Sequence, residues 1–256
     1  MTEKIFVELL GDVRVRVGSR AAVGVVGKQR VLLAALCLAG GRPVRAEELI
    51  DRLWGDEPPA SARTTLRGYV RRLRTALGGS ARGAVVSGQG GYRLGDGVET
   101  DLARFQRLWA AARGCADPGR RLTLLDEALR GWRGRPLPGV EPDGWVREAV
   151  VGIEEELLQA AEEWCDLRVG SGEPGAAVVR LTGLVADHPL RETLWHRLIL
   201  GLDGCGRTAE ALERYEQVRR RLADELGVAP SGPLRRLHRA LLSDRDRYPA
   251  QSMAFR

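Results

Sequence analysis

The stretch that most constrains this chain is PPASARTTLRGYVRRLRTALGG, Pro58 to Gly79. Ser61 is suited to an N-cap, and Leu66, Tyr69, Val70, Leu73 and Leu77 recur behind it at helical spacing. One stripe of the expected helix therefore packs on a core. The opposite face carries Thr64, Arg67, Gly68, Arg71 and Thr75, flanked by Arg72 and Arg74, and it holds no carboxylate. Solvated helix faces ordinarily interleave signs through Glu–Arg or Glu–Lys pairs one turn apart. With Arg63 at the start of the helix, five arginines stand without an acid and repel one another unless an anion lies across them. Gly68 tightens the constraint. A mid-helix glycine costs about 1 kcal/mol relative to alanine, and a bulky partner approaching the backbone would explain why it stands there. The pattern predicts a helix lying in a groove of duplex DNA; the competing reading is a surface helix of an arginine-rich chain, and the flanks decide between them.

Charge is distributed to the same effect. Of the net +6 of the 256-residue chain, residues 1–100 carry all, with 16 Lys and Arg against 10 Asp and Glu; the remainder balances. A basic module joined to a neutral one is the expected footprint of a protein that faces nucleic acid. No run approaches the ~20 apolar residues of a membrane span. The opening MTEKIFVELLGDVRV alternates like a strand and lacks the zones of a signal peptide, so a cytoplasmic, nucleoid-associated protein is expected. Cys37, Cys115, Cys165 and Cys205 are widely spaced and read as buried free thiols, with no metal site.

Phe6–Leu10 and Val13–Val17 alternate about the turn signal Gly11-Asp12, predicting a small antiparallel sheet. A buried helix follows from Lys28 to Gly40-Gly41, and a short one from Arg45 to Trp54, with Leu49, Ile50, Leu53 and Trp54 inward. After the arginine helix, residues 84–86, the glycine-rich loop 87–91 and residues 92–94 read as strand, loop and strand. Two helices leading to a basic third, then a hairpin, describe a winged helix-turn-helix. Its third helix enters the major groove, and the preceding helix meets phosphates through its N-terminus.

The run ASARTTLRGYVRRLRTALG followed by GGYRL resembles the C-terminal effector domain of OmpR-type response regulators. Together with KQRVLLAALCLAGGRPVRAEELIDRLWGDEPPASAR it is similar to the actinobacterial AfsR/DnrI/RedD group, the Streptomyces antibiotic regulatory proteins (SARPs). The resemblance implies an activator of secondary-metabolite (antibiotic) gene clusters. Such proteins bind direct repeats near the −35 element as side-by-side homodimers and recruit RNA polymerase holoenzyme, through its sigma factor and other subunits. No acidic pocket on an α/β pattern precedes the winged helix, so regulation by a covalent phosphate is not expected.

Beyond Asp101 the pattern is helix after helix: 102–112, 120–132, 145–169, 173–186, 191–204, 209–226 and 233–242, broken by the Pro/Gly-rich loop 134–144. Trp195, Leu198, Ile199 and Leu202, followed by Ala209, Ala211 and Tyr215, resemble a tetratricopeptide unit. In the resembled family this region is the bacterial transcriptional activation domain. The expected fold class is mainly α with a small β component. Residues 1–97 form an OmpR-type winged helix, residues 98–246 a tetratricopeptide-like helical domain, and residues 247–256 a disordered tail.

Nothing predicts an enzyme or a cofactor. GVVGKQ at 24–29 has the wrong spacing for a phosphate-binding loop and Gln29 where Ser or Thr is needed. Isolated His188, His196 and His238, and the acidic runs 154–156 and 162–163, read as structural or solvated. Thr64, Arg67, Arg71 and Thr75 are the candidate base contacts, arginine being suited to bidentate pairing with guanine. Lys28, Arg63, Arg72, Arg74 and Arg93 are candidate phosphate contacts, and Gly90, Gly91 and Tyr92 the wing. Two alternatives remain open: a helical-repeat adaptor whose basic module docks on an acidic protein, and a repressor with the same DNA contacts.

Overall fold

A computed structural model describes residues 4–20, 23–77, 83–88, 90–140 and 144–247. It divides into two compact units, residues 1–158 and 159–256.

The first unit opens with β1 (Ile5–Glu8) antiparallel to β2 (Arg14–Val17), placing Ile5 opposite Val17 and Val7 opposite Val15. These four residues are buried on one face, as the alternation predicts. β3 (Val23–Gly24) adds to the free edge of β2, and β7 (Val98–Thr100) pairs in parallel with β1. α1 (Gly27–Leu38) buries six consecutive residues, Leu32 to Cys37. β4 (Val44–Arg45) leads into α2 (Ala46–Trp54), which turns Leu49, Ile50 and Leu53 inward. α3 (Ala62–Ala76) packs on both helices through Ala62, Leu66, Val70 and Leu73, and Trp54 stacks on Tyr69 at 6.0 Å. β5 (Val85–Gly88) and β6 (Gly91–Leu94) form the hairpin, and β4 lies on the outer side of β6. The fold is a winged helix.

Three strands, β3, β4 and β7, escape the sequence reading. β4 is two residues long and exists only because β6 pairs with it, and β7 is three residues held by β1. Gly91 shows how close the first of these pairings is: a Cβ there would lie 2.2 Å from the Val44 carbonyl oxygen. Residue 97, where the sequence suggests a boundary, lies inside the first unit. Just beyond it, the Asp101 carboxylate accepts the amides of Leu9 (2.8 Å) and Leu10 (3.1 Å), and Arg133 donates to it at 3.1 Å. Burial pushes the Asp101 carboxyl above the ordinary carboxylate range, outweighing these hydrogen bonds. α4 (Asp101–Arg113) and α5 (Pro118–Leu129) pack together, capped by Thr100 and Asp117. α6 (Trp145–Gly170) begins in this unit with Val146, Val150, Ile153 and Leu157 buried.

In the second unit, α7 (Pro174–Asp187), α8 (Glu192–Gly204), α9 (Thr208–Leu226) and α10 (Gly232–Arg247) follow. α8 packs against the other three. Trp195 is buried at its centre with its indole N–H on the Pro189 carbonyl (2.8 Å), beside buried Leu198, Ile199 and Leu202, with Ala211 and Tyr215 buried on α9. Buried Glu162 accepts Arg191 Nε and the Thr193 hydroxyl, while Arg197 grips both oxygens of Asp166.

Several expectations need correction. Ala209 is exposed, because it starts α9 before the inward stripe is established. α10 runs to Arg247, so only residues 248–256 of the expected tail remain, and these lie outside the described residues. Cys37 and Cys165 are buried free thiols, the latter pushed up to about 12 by burial. Cys205, however, caps the end of α8 and is exposed, and Cys115 is half-buried. Among the described residues no helix is long and apolar enough to cross a membrane.

Candidate nucleic-acid interface

The interface is built on α3. Its apolar stripe is consumed by packing on α1 and α2, which turns Thr64, Arg67, Arg71 and Thr75 outward, all exposed. Arg67 and Arg71 have no hydrogen-bond or ion-pair partner among the described residues. The Thr75 hydroxyl donates to the Arg71 carbonyl (3.2 Å), which leaves its oxygen free to accept. Gly68 sits half-exposed in the same surface, and a Cβ built on it meets nothing within 4 Å. No packing among the described residues therefore demands a glycine there. Ser61 occupies the N-cap position as expected, yet its hydroxyl accepts no amide; it faces the Thr65 hydroxyl at 3.3 Å.

The flanking cations are less uniform. Arg72 is exposed, its guanidinium 5.3 Å from the centre of the Tyr69 ring. Arg63 pairs with Glu47 on α2 at 2.7 Å. Arg74 is half-buried and belongs to the protein's own framework: Nε donates to the Val85 carbonyl (2.9 Å) and a terminal nitrogen to the Ser87 hydroxyl (2.7 Å), tying α3 to β5. Lys28 donates to the Leu53 carbonyl at the end of α2. Arg93 is held by Asp96 and the Leu94 carbonyl, both at 2.9 Å. Four of the five candidate phosphate contacts thus already serve intramolecular acceptors; those of Lys28, Arg63 and Arg74 are distant in sequence and are delivered only by the fold, whereas those of Arg93 are its chain neighbours.

The wing residues divide in the same way. Gly90 is exposed at the turn with φ +81°, a conformation that favours glycine. Gly91 is buried against β4, and Tyr92 is half-buried in β6. Gln89, in the expected loop, lies outside the described residues. The Ala46 amide at the start of α2 donates to the Gly90 carbonyl (3.0 Å), and Glu47 and Glu48 occupy that first turn. That terminus is therefore poorly arranged for phosphate, contrary to the sequence expectation. A cleft of about 460 Å³ lies between α2, α3 and the wing, lined by Glu47, Arg63, Arg67, Ser87, Gly88 and Gly90 among others. Glu47 and Ser87 carry no signal in the linear sequence; only the fold brings them beside the arginine face.

A winged helix followed by packed helical hairpins is the build of a class of bacterial transcriptional regulators. Residues 100–242 match the bacterial transcriptional activator domain, and residues 21–94 match the family described as transcriptional regulatory protein, C terminal. The chain belongs to the SARP family of transcriptional regulators. It is 32% identical to the regulatory protein DnrI of Streptomyces peucetius, over 92% of this chain and 91% of that one. It is 37% identical to the transcriptional regulator RedD of Streptomyces coelicolor, over 93% of this chain and 70% of that one. Identity to the regulatory protein AfsR of Streptomyces coelicolor is 44% over 91% of this chain, which spans only 24% of AfsR. A solved structure of Mycobacterium tuberculosis EmbR, in complex with a low affinity phosphopeptide, superposes with a TM-score of 0.82 at 31% identity, over 94% of this chain and 66% of that one.

Proposed function

We propose that this chain is a non-enzymatic, sequence-specific DNA-binding activator acting in the cytoplasm at the nucleoid. Residues 1–97 bind promoter DNA, and residues 98–246 contact RNA polymerase holoenzyme. The observation that carries the reading is the outward face of α3: two exposed arginines without partners among the described residues, two exposed threonines, and open space over Gly68. Arg67 and Arg71 supply guanine contacts, with Thr64 and Thr75 beside them. Arg72 is the flanking cation best placed for phosphate, and Arg63 reaches phosphate when it leaves Glu47. Kinship with DnrI and RedD supports side-by-side protomers on direct repeats near the −35 element of a biosynthetic cluster.

Selection from a random duplex pool tests this reading. Enrichment of a tandem motif protected by the protein supports it. Salt-sensitive retention without any enriched sequence favours a basic adaptor instead. Reporter expression with and without the gene then separates activation from repression.

A further inference from the structure

Among the described residues, the arginine side of the cleft between α2, α3 and the wing contains one carboxylate, Glu47. It stands in the first turn of α2 and holds Arg63 by an exposed ion pair at 2.7 Å. We propose that Glu47 is an electrostatic brake on DNA affinity: it occupies Arg63 in the free protein and presents a negative charge where a phosphate strand would pass. This inference rests on α3 being the DNA-facing helix.

The physical argument has two parts. Arg63 is the arginine of the α3 face whose guanidinium sits on a carboxylate, so a phosphate must displace Glu47 to use it. An exposed ion pair of this kind is weak, with its side chains 73% and 59% exposed, so displacement itself is easy. The displaced carboxylate nevertheless stays in the cleft, because it is fixed to the helix backbone two residues from Arg45 and beside Gly90. There it opposes every phosphate in reach, whatever the base sequence. Glu48, one residue on, makes a useful contrast. It pairs with Arg52 on its own helix at 2.6 Å and lines a different cleft, with Pro43 and Trp145.

The test is a salt series of fluorescence-anisotropy titrations on the full chain, using a labelled duplex of random sequence and one carrying a selected motif. Glu47→Gln is expected to bind both duplexes about three- to tenfold more tightly at low salt, with the ratio between them kept. The salt slope should steepen by about 0.9, one more phosphate being neutralised. Arg63→Ala should cost more affinity in the Glu47→Gln background than in the wild-type chain, the signature of a coupled pair. Glu48→Gln makes the same change in net charge outside the cleft and should give little of the gain. Thermal melts of each variant confirm that the fold is kept.

Weaker binding of Glu47→Gln to both duplexes would overturn the brake and make Glu47 a support for Arg63. A changed ratio between duplexes would overturn it in favour of base reading. An equal gain from Glu48→Gln would reduce the effect to net charge and also overturn it. If the wild-type chain binds neither duplex, the DNA reading itself falls, an outcome distinct from the other three.

Discussion

Replacing Gly68 by alanine separates folding from binding at a single methyl group. The residue lies seven places into the fifteen-residue α3, its backbone is helical, and a Cβ there touches nothing within 4 Å. Alanine restores helix propensity without a clash, so Gly68→Ala should stabilise the protein by about 1 kcal/mol. In a chain of this size that is a rise of roughly 2–4 °C in Tm. The methyl also projects from the face that carries Arg71 and Thr75. A duplex seated on that face must retreat or deform around it, and overpacking of this kind costs about 1–3 kcal/mol, or roughly five- to 150-fold in affinity. Calorimetric melting and anisotropy titration on a selected duplex measure the two effects side by side. A variant that is more stable and binds more weakly fits the reasoning. Equal or tighter DNA binding would refute it, because the glycine would then be explained by nothing outside the protein.

Other consequences follow from groups the fold has committed to internal partners. Arg74→Ala removes two donors from the α3–β5 contact and should cost about 1–3 kcal/mol in urea unfolding, with faster amide exchange in β5. Asp101→Ala leaves the Leu9 and Leu10 amides without their acceptor and should cost about 2–5 kcal/mol, read by the same denaturation assay. The raised Asp101 carboxyl fixes a sign as well: its protonated form is favoured in the folded state, so its contribution is fullest below the ordinary carboxylate range and is lost as pH rises through the raised value. Subtracting the pH–stability curve of Asp101→Asn from that of the wild-type chain should isolate that loss, and a difference that grows with pH instead would contradict it. Gly91→Ala places a methyl against the Val44 carbonyl and should unfasten β4 from β6, seen as lost protection of the Tyr92 amide.

The helices were legible because their apolar residues repeat at the helical period: Leu66, Val70 and Leu73 in α3, and Trp195, Leu198, Ile199 and Leu202 in α8, are all buried as the spacing requires. So was the acid-free face, a local property of one helix. Short strands such as β4 and β7 were not legible, since their extent is set by partners dozens of residues away and not by any repeat of their own. Asp101 escaped notice for the same reason: a lone acid at a helix start looks like a cap until the fold delivers Leu9 and Leu10 to it. Among the cations, sequence identified the charges but not their employment. Lys28, Arg63 and Arg74 each found an acceptor that only the fold provides, and Arg93 one a few residues along its own strand end. The exposure of Cys205 turned on where α8 stops, a boundary that periodicity places only approximately.

The central claim is that the outward arginines of α3 read duplex DNA. The most direct measurement is the affinity ratio between a selected duplex and its scrambled counterpart, taken at one salt concentration for the wild-type chain and for Arg71→Ala. Loss of a bidentate guanine contact should lower that ratio by about 1–3 kcal/mol, roughly five- to 150-fold, while weak salt-dependent binding to the scrambled duplex persists. A ratio left unchanged by Arg71→Ala would mean that this face does not read the bases, and the assignment of α3 as the recognition element would be wrong.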